Sequence, residues 1–461
     1  SKRNFQQSTV TNGLGNPFLV TNIAVPYHLP YKADGSYNNG VGAKYVATTQ
    51  LDLTKFDENY NDQLKATIGF NLNYKITEDL TASLVTGIDF RETQNTTYQS
   101  REAFTRTPAG GATAILTLAG SQFEQIDRFL TSNVRPALTY RKLIADMHDI
   151  EVTAVGEYVQ ENNKFFSAQG YGIDPRTPNT PAAVTQGNAA NQLYANFGGG
   201  KDRTGLASGL VTARYTFDGK YTATGSYRKD GSSKLPKATR WQDFFSVGAI
   251  WEVSKEKFME NVNAVNVLRL RASYGSAGNA NNFPSSYLYQ ARYSSAGQYS
   301  GLTTQVATYP GNPGARWETT YQVNVGLDFE LLNRRLYGDL NWYDKRTKNL
   351  FLNRQLTAEG GGFAIDVNAG ELQNTGFEWN VNYDVIRNKD LVWTLFATGS
   401  YNKNKLLDLG GEAPYESGTS FLKVGLPLGS HYEVKWAGVD AATGQPLYYD
   451  LDGKVTTAYA S

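Results

Sequence analysis

The chain has 461 residues, with 44 Lys and Arg against 43 Asp and Glu, and therefore a formal net charge of +1. This balance gives no reason to expect nucleic acid as a partner, because nucleic-acid binding relies on clustered positive charge. The chain has no Cys and three His, which excludes a disulfide scaffold, a thiol nucleophile and Cys-ligated metal sites and predicts neither a metal site nor a cofactor.

The N-terminal residues Ser1–Asn4 lack the apolar region of a leader peptide, so we expect the chain to begin inside a longer protein. No stretch of about 20 mainly apolar residues occurs, which excludes a helical membrane protein. The sequence does not exclude a membrane β-barrel, because the hydropathy signal of each barrel strand is weak.

The segment 63–76 shows a strict alternation of apolar and polar residues. Its apolar positions are Leu64, Ala66, Ile68, Phe70, Leu72, Tyr74 and Ile76, and Lys65 and Asn71 are among the polar residues between them. A period of two predicts a strand with one apolar face. A strand that crosses a bilayer at a tilt needs about 9–11 residues, against about 5–6 for a typical soluble strand. The segment therefore has the length of a membrane strand.

The same alternation recurs along the chain, at 80–91, 150–158, 321–331, 377–385 and 393–401. We expect one face to contact lipid and the other to line a water-filled lumen, because a charge on the lipid face costs about 2–4 kcal/mol. The residues predicted to face lipid are Leu64, Ile68, Phe70, Val323, Leu327, Trp379 and Val381. Those predicted to face the lumen are Lys65, Asn71, Asp328 and Glu378.

The connections between these strands alternate in length. Tight turns are predicted at 77–79, 218–219, 333–334 and 387–390, with a longer one containing helical turns at 254–266. Long segments rich in Gly, Asn, Ser and Tyr lie near 93–123, 161–203, 230–240, 277–318, 349–375 and 403–461. This asymmetry is typical of outer-membrane barrels, with short periplasmic turns and long extracellular loops.

The predicted fold is all-β: an antiparallel transmembrane β-barrel with about twelve strands of about twelve residues in six hairpins. Antiparallel strands with one apolar face also build soluble sandwiches, propellers and solenoids. The strand length and the loop alternation favour the barrel.

Motifs for catalysis are missing, including a P-loop, a His-Glu-x-x-His helix and a Gly-x-Ser-x-Gly elbow, and we expect no enzyme. Asp450 and Asp452 resemble the opening of a calcium loop without its later Glu, so a surface turn is the better interpretation.

Tyrosines cluster in the loop 277–318, where aromatic rings could contact a ligand or a partner protein. These candidate contacts are Tyr287, Tyr289, Tyr293 and Tyr299.

Four blocks together resemble the barrel of the SusC/RagA family, the TonB-dependent outer-membrane transporters of Bacteroidetes. They are Tyr227–Lys234 followed by Arg240-Trp241 and 244–251, then Leu268–Asn279, Asn374–Glu378, and 424–430 leading to 436–440. The resemblance covers roughly residues 60–450. Phe245 stands where the family usually has Pro, and Lys234 where it often has Arg.

The resemblance implies energised import of an oligosaccharide or a peptide across the outer membrane. It implies a SusD-like surface lipoprotein as partner, and a TonB complex that acts through a segment absent here. It also implies a barrel of about 22 strands, of which residues 1–461 are one part. The plug domain and the TonB box are then expected before Ser1 and several closing strands after Ser461. A non-transporting adhesin or lectin, or a passive porin, are the alternative functions.

Overall fold

The computed structural model describes most of the chain after residue 54. The described residues are 55–101, 120–174, 176–177, 180–279, 283–357, 359, 361–417, 420–450 and 452–459, preceded by 2–3, 20, 24, 27, 29–36, 38 and 51. Positions 102–119 of the predicted loop near 93–123 and positions 280–282 of that near 277–318 therefore lie outside the described residues.

The described residues form twenty strands and three short 3₁₀-helical turns. In chain order the strands are β1 (Lys2–Arg3), β2 (Glu58–Lys75), β3 (Leu80–Gln99), β4 (Ser121–Ile144), β5 (His148–Tyr171), β6 (Asn196–Phe217), β7 (Tyr221–Ser232), β8 (Trp241–Glu252), β9 (Val265–Gly278), β10 (Arg292–Tyr299), β11 (Leu302–Tyr309), β12 (Thr319–Leu331), β13 (Leu336–Gln355), β14 (Ala364–Arg387), β15 (Val392–Asp408), β16 (Tyr415–Ser417), β17 (Ser420–Leu422), β18 (Trp436–Val439), β19 (Pro446–Tyr449) and β20 (Val455–Thr456). The 3₁₀ turns are Pro181–Ala183, Val253–Lys255 and Lys257–Met259.

One sheet contains the twelve long strands in the order of the chain, β2 to β9 followed by β12 to β15, with the two-residue β1 beside β2. Neighbours in chain order pair as antiparallel hairpins, as in β12 with β13 and β14 with β15. The prediction of an all-β fold with about twelve antiparallel strands is confirmed. None of the helices in the described residues is long and apolar enough to cross a membrane.

The predicted turns are confirmed, but the predicted strand length is wrong for most strands. Only β7, β8, β9 and β12 have 12–14 residues, whereas β4, β5 and β14 each have 24. These strands continue into segments that were expected to be loops. The physical reason is that backbone pairing between neighbours continues beyond the region where the alternation of apolar and polar residues ends.

Two predicted loops also contain strands of their own. In 277–318, β10 and β11 form a separate two-stranded hairpin. In 403–461, β16 pairs with β17 and β18 to β20 form a three-stranded sheet.

The chain divides into two compact units. The first comprises Ser1–Asn71, Val85–Val134 and Val159–Thr204, and the second Leu72–Leu84, Arg135–Tyr158 and Gly205–Ser461. The first unit has a small core of Tyr98, Ile173 and Ala183. The second unit contains β7 to β15, two larger cores and all the candidate residues discussed below.

The register within the second unit separates an apolar face from a polar face. Val325, Trp342 and Phe377 lie in one row across β12, β13 and β14, and Leu327, Leu340 and Trp379 in the next. Residues paired across strands point to the same side of a sheet. Val323, Leu327, Trp379 and Val381 therefore share the apolar face, and Asp328 and Glu378 the polar face, as the alternation predicted.

Ion pairs and hydrogen bonds cover the polar face. Arg271 contacts both carboxylate oxygens of Asp328, at 2.6 Å in the closer contact, and donates to Asn341 Oδ1 at 3.0 Å. Arg228 bridges Glu157 and Asp230 at 2.8 and 2.6 Å. Except for the buried Asp230, these side chains are partly exposed, so their charges remain in contact with water, as on the wall of an aqueous lumen.

Replacing Gly376 by Val is expected to destabilise the hairpin of β13 and β14. A Cβ atom at Gly376 would lie 2.4 Å from the ring of Tyr343 and 2.7 Å from the Tyr401 carbonyl oxygen, and overpacking of this kind costs about 1–3 kcal/mol. Gly209 has open space around its Cβ position, so Gly209→Val is the matched control. The midpoint of urea unfolding in detergent should fall for the first variant and stay nearly unchanged for the control; equal midpoints would contradict the tight packing at Gly376.

Candidate ligand and partner surface

The loop between β9 and β12 is held by an apolar cluster at the end of the sheet opposite the short turns. We name it the rim cluster; its members are Leu235, Phe244, Phe283, Leu288, Tyr309, Ala315 and Trp317. They come from the connection between β7 and β8, from β8 itself and from the loop. The loop therefore has a core of its own and is fixed to the neighbouring hairpin.

Trp317 is the centre of the rim cluster. Its side chain is 2 % exposed and makes edge contacts with the rings of Phe244 and Phe283, at centroid distances of 5.8 and 5.3 Å. Its indole N–H donates to the Arg240 carbonyl oxygen at 2.8 Å. A buried Trp whose N–H group is hydrogen-bonded both packs in a core and is held in one orientation. Trp317 therefore fixes the position of the loop just before β12.

Polar contacts fix the same loop to β13 and β14. The Asn312 side chain donates to the Asp366 carbonyl oxygen at 2.7 Å. Asn368 accepts from the Arg316 N–H at 2.9 Å and donates to the Arg316 carbonyl oxygen at 3.0 Å. The buried Glu318 carboxylate accepts from the Phe351 N–H at 2.7 Å. The C-terminal end of the loop is thus positioned by two strands.

The β10–β11 hairpin extends from this anchored base. Its tip is Ser300-Gly301, both in the left-handed region at φ 51° and 77°, as in the tight turns of two-residue hairpins. At the base, Tyr309 is buried in the rim cluster, and the Arg292 guanidinium lies over its ring at 4.5 Å. Burial, with the charge of Asp366 nearby, raises the pKa of Tyr309.

One face of the hairpin is apolar and exposed. Tyr299 pairs with Leu302, and Val306 lies on the same face of β11 as Leu302. The exposed fractions are 76 % for Tyr299, 75 % for Leu302 and 50 % for Val306. We name these three residues the hairpin patch. Large apolar groups that stay exposed together are typical of a binding surface.

The four tyrosines singled out in the sequence do not form one cluster. Tyr287 and Tyr289 flank the fully buried Leu288 at the base of the loop. Tyr293 pairs with Ala307 on the hairpin face opposite the hairpin patch, and lies about 20 Å from Tyr299 along β10. Only Tyr299 belongs to the hairpin patch. Leu302, Val306 and Trp317 were missed; the even spacing of Leu302 and Val306, which puts both on one face of a strand, was the available signal for the first two.

The Asp450 carboxylate closes a local turn. It accepts from the N–H groups of Asp452 and Lys454 at 3.0 and 2.8 Å. Among the residues that the structure describes, no group of three or more His, Asp and Glu side chains could hold a metal ion.

Comparison with known proteins identifies the family. The sequence model for the TonB dependent receptor-like β-barrel matches residues 4–460. The chain belongs to this family of TonB-dependent receptors.

The curated relatives of this receptor chain include SusC-type proteins. The TonB-dependent receptor P39 of Formosa agariphila is 27 % identical over 441 residues, which are 92 % of this chain and 39 % of P39. SusC of Bacteroides thetaiotaomicron is 32 % identical over 217 residues, which are 45 % of this chain and 21 % of SusC. The chain thus spans less than half the length of these TonB-dependent receptors.

Solved structures show the same fold. The RagAB peptide transporter matches with a TM-score of 0.79 at 22 % identity, over 94 % of this chain and 47 % of the matched chain. The receptor chain is therefore part of an outer-membrane β-barrel. In this family's barrel the short turns are periplasmic and the long loops extracellular, so the rim cluster and the β10–β11 hairpin lie at the extracellular end. We expect the apolar face to contact lipid.

Proposed function

We propose that the protein containing this chain is an energised outer-membrane importer of oligosaccharides or peptides that works with a SusD-like lipoprotein. In this proposal residues 1–461 all belong to one barrel, and a plug domain and a TonB-binding segment are supplied by other parts of the protein. The main support is the match of the family over residues 4–460, together with the relatives SusC and RagAB.

The hairpin patch is the proposed docking site for the lipoprotein. A stable interface needs apolar side chains at its centre, with aromatic residues contributing most of the binding free energy. Tyr299, Leu302 and Val306 supply such a group on a hairpin whose base is held by the rim cluster. The fixed base lowers the entropy that the hairpin loses on binding.

Tyr287, Tyr289 and Tyr293 are the proposed ligand contacts. Tyr293 is 63 % exposed and Tyr287 37 %, and neither belongs to the hairpin patch. Tyrosine rings offer a flat apolar surface and a hydroxyl, which suits sugar rings and peptide side chains. This assignment separates docking from capture between the two faces of the hairpin.

Docking is tested with the triple variant Tyr299→Ser, Leu302→Ser and Val306→Ser in the full-length protein. We expect co-purification of the lipoprotein from detergent-solubilised outer membranes to fall at least tenfold, because truncation of central interface residues costs about 2 kcal/mol or more. Tyr293→Ser is the matched control and should retain the lipoprotein while lowering uptake of the nutrient.

Three results would each remove part of the proposal. Unchanged co-purification in the triple variant would exclude the hairpin patch as the docking site. Uptake that continues when the proton gradient is collapsed would indicate a passive porin. Nutrient binding without any uptake would indicate an adhesin or lectin.

A further inference from the structure

On the apolar face of β13, β14 and β15, the side chains change from aliphatic to aromatic and then to charged towards the extracellular end. Trp342, Phe377 and Tyr401 lie in one row across the three strands, and they are 42 %, 40 % and 64 % exposed. Exposed aromatic side chains in a row are typical of the level where a barrel passes from hydrocarbon to headgroups. This row therefore marks the outer edge of the lipid-facing band.

Four cations follow directly beyond this row on the same face. The register places Asp344, Thr375 and Lys403 in the next row, then Arg346, Gln373 and Lys405, then Lys348 and Glu371. We name Arg346, Lys348, Lys403 and Lys405 the cationic cluster. All four are exposed. With strands about 4.8 Å apart and a rise of about 3.3 Å per residue, their Cα atoms lie about 7–16 Å from one another, with Lys348 and Lys403 farthest apart.

Three of these four cations form no ion pair with another described residue. Arg346 lies 3.9 Å from Asp344, whose carboxylate accepts two contacts from the Gln373 amide at 3.0 and 3.1 Å. Within the part of the chain that the structure describes, no carboxylate forms an ion pair with Lys348, Lys403 or Lys405. Glu371 is opposite Lys348 in the register, and Asp408 is opposite Glu371. Together with Asp344, these rows carry four cations and three carboxylates, a net charge of +1.

A groove runs along the same face beside the cationic cluster. It has a volume of about 410 Å³ and is lined by Tyr274, Tyr321, Val323, Asp344, Arg346 and Lys348. One wall of the groove, from β9 and β12, is aromatic and apolar, and the other wall, from β13, is charged. The two walls offer contacts for an acyl chain and for a charged headgroup.

We propose that the cationic cluster and the adjoining groove bind a phosphorylated lipid of the outer leaflet. The phosphate lies among Arg346, Lys348, Lys403 and Lys405, and an acyl chain passes Tyr274 and Val323 and continues past the aromatic row into the lipid-facing band. Lys and Arg side chains at headgroup level attract anionic lipid, by about 1 kcal/mol for each side chain. The cluster lies on the outside of the barrel, so it is separate from the path of an imported solute. The apolar groove favours a lipid over a free phosphate ion.

The test uses the full-length protein in detergent micelles and monophosphoryl lipid A as the probe, with native mass spectrometry as the readout. The variant carries Arg346→Gln, Lys348→Gln, Lys403→Gln and Lys405→Gln. We expect its apparent affinity for the lipid to be at least tenfold weaker. The matched control removes four cations near the periplasmic turns, with Arg334→Gln, Arg335→Gln, Arg387→Gln and Lys389→Gln, and should bind within twofold of the unchanged protein.

Two further probes distinguish the source of the phosphate. Dephosphorylated lipid A should bind at least tenfold more weakly, and inorganic phosphate at millimolar concentration should not displace the lipid. Equal binding of the dephosphorylated lipid, displacement by inorganic phosphate, or unchanged affinity in the fourfold variant would each overturn the proposal. If the fourfold variant does not fold, the pair Lys403→Gln and Lys405→Gln replaces it, with an expected loss of at least threefold.

Discussion

Replacing Trp317 by Ala is expected to release the loop between β9 and β12 from the extracellular end of the barrel. The variant loses the ring contacts to Phe244 and Phe283, and the Arg240 carbonyl oxygen loses the shorter of its two hydrogen bonds and keeps the one from the Ser232 N–H. Truncation of a buried Trp costs about 3–5 kcal/mol. The sheet is paired independently of the rim cluster, so we expect local unfolding of the loop and an intact barrel.

Hydrogen exchange and limited proteolysis in outer-membrane vesicles measure this effect. Amides in 283–317 should lose protection by at least a hundredfold, and a new cleavage site should appear in the loop, while β12 to β14 stay protected. Trp241→Ala is the control, because that side chain is 51 % exposed and lies outside the rim cluster. Unchanged protection in the Trp317 variant would show that polar contacts alone hold the loop.

Replacing Val381 by Arg is expected to impair the barrel far more than the same change at its neighbour Asn382. Val381 pairs with Gly338 and Ala397 on the apolar face, and Asn382 lies on the polar face. An arginine on the lipid face near the middle of the membrane costs about 2–4 kcal/mol. At Asn382 the guanidinium reaches water, and we expect a change below about 1 kcal/mol.

Folding into lipid vesicles followed by urea unfolding compares the two variants. The midpoint for Val381→Arg should be clearly lower, and its yield in the outer membrane should fall. Equal effects of both substitutions would mean that the two faces of β14 do not differ in polarity.

The faces of the strands were predictable from the sequence because one physical constraint repeats at every second residue. Lipid excludes charge from Val323, Leu327, Trp379 and Val381, and water tolerates Asp328 between them. Strand ends were not predictable by this rule. Beyond the bilayer both faces contact water, so the outer part of β5 contains Lys164 without breaking the pairing. There the length of a strand is determined by the hydrogen bonds to its neighbours and not by a pattern of side chains.

The candidate surface was predictable only in part. The tyrosines of 277–318 indicated a binding region, but their grouping depends on a bulge in β10 between Ser295 and Gln298. That irregularity puts Tyr293 and Tyr299 on different faces. Trp317 was missed because its role depends on contacts with residues that are distant in the chain. One of them, Arg240, is 77 residues away.

A spin-label scan along β14 tests the central claim most directly, which is that this sheet is the wall of an outer-membrane barrel. The chain contributes no native Cys, so single cysteines at Phe377 through Tyr383 can be labelled in the full-length protein in lipid. We predict that Phe377, Trp379, Val381 and Tyr383 report high accessibility to oxygen, and that Glu378, Asn380 and Asn382 report high accessibility to a water-soluble nickel complex. The same polarity at neighbouring positions such as Val381 and Asn382 would contradict the account.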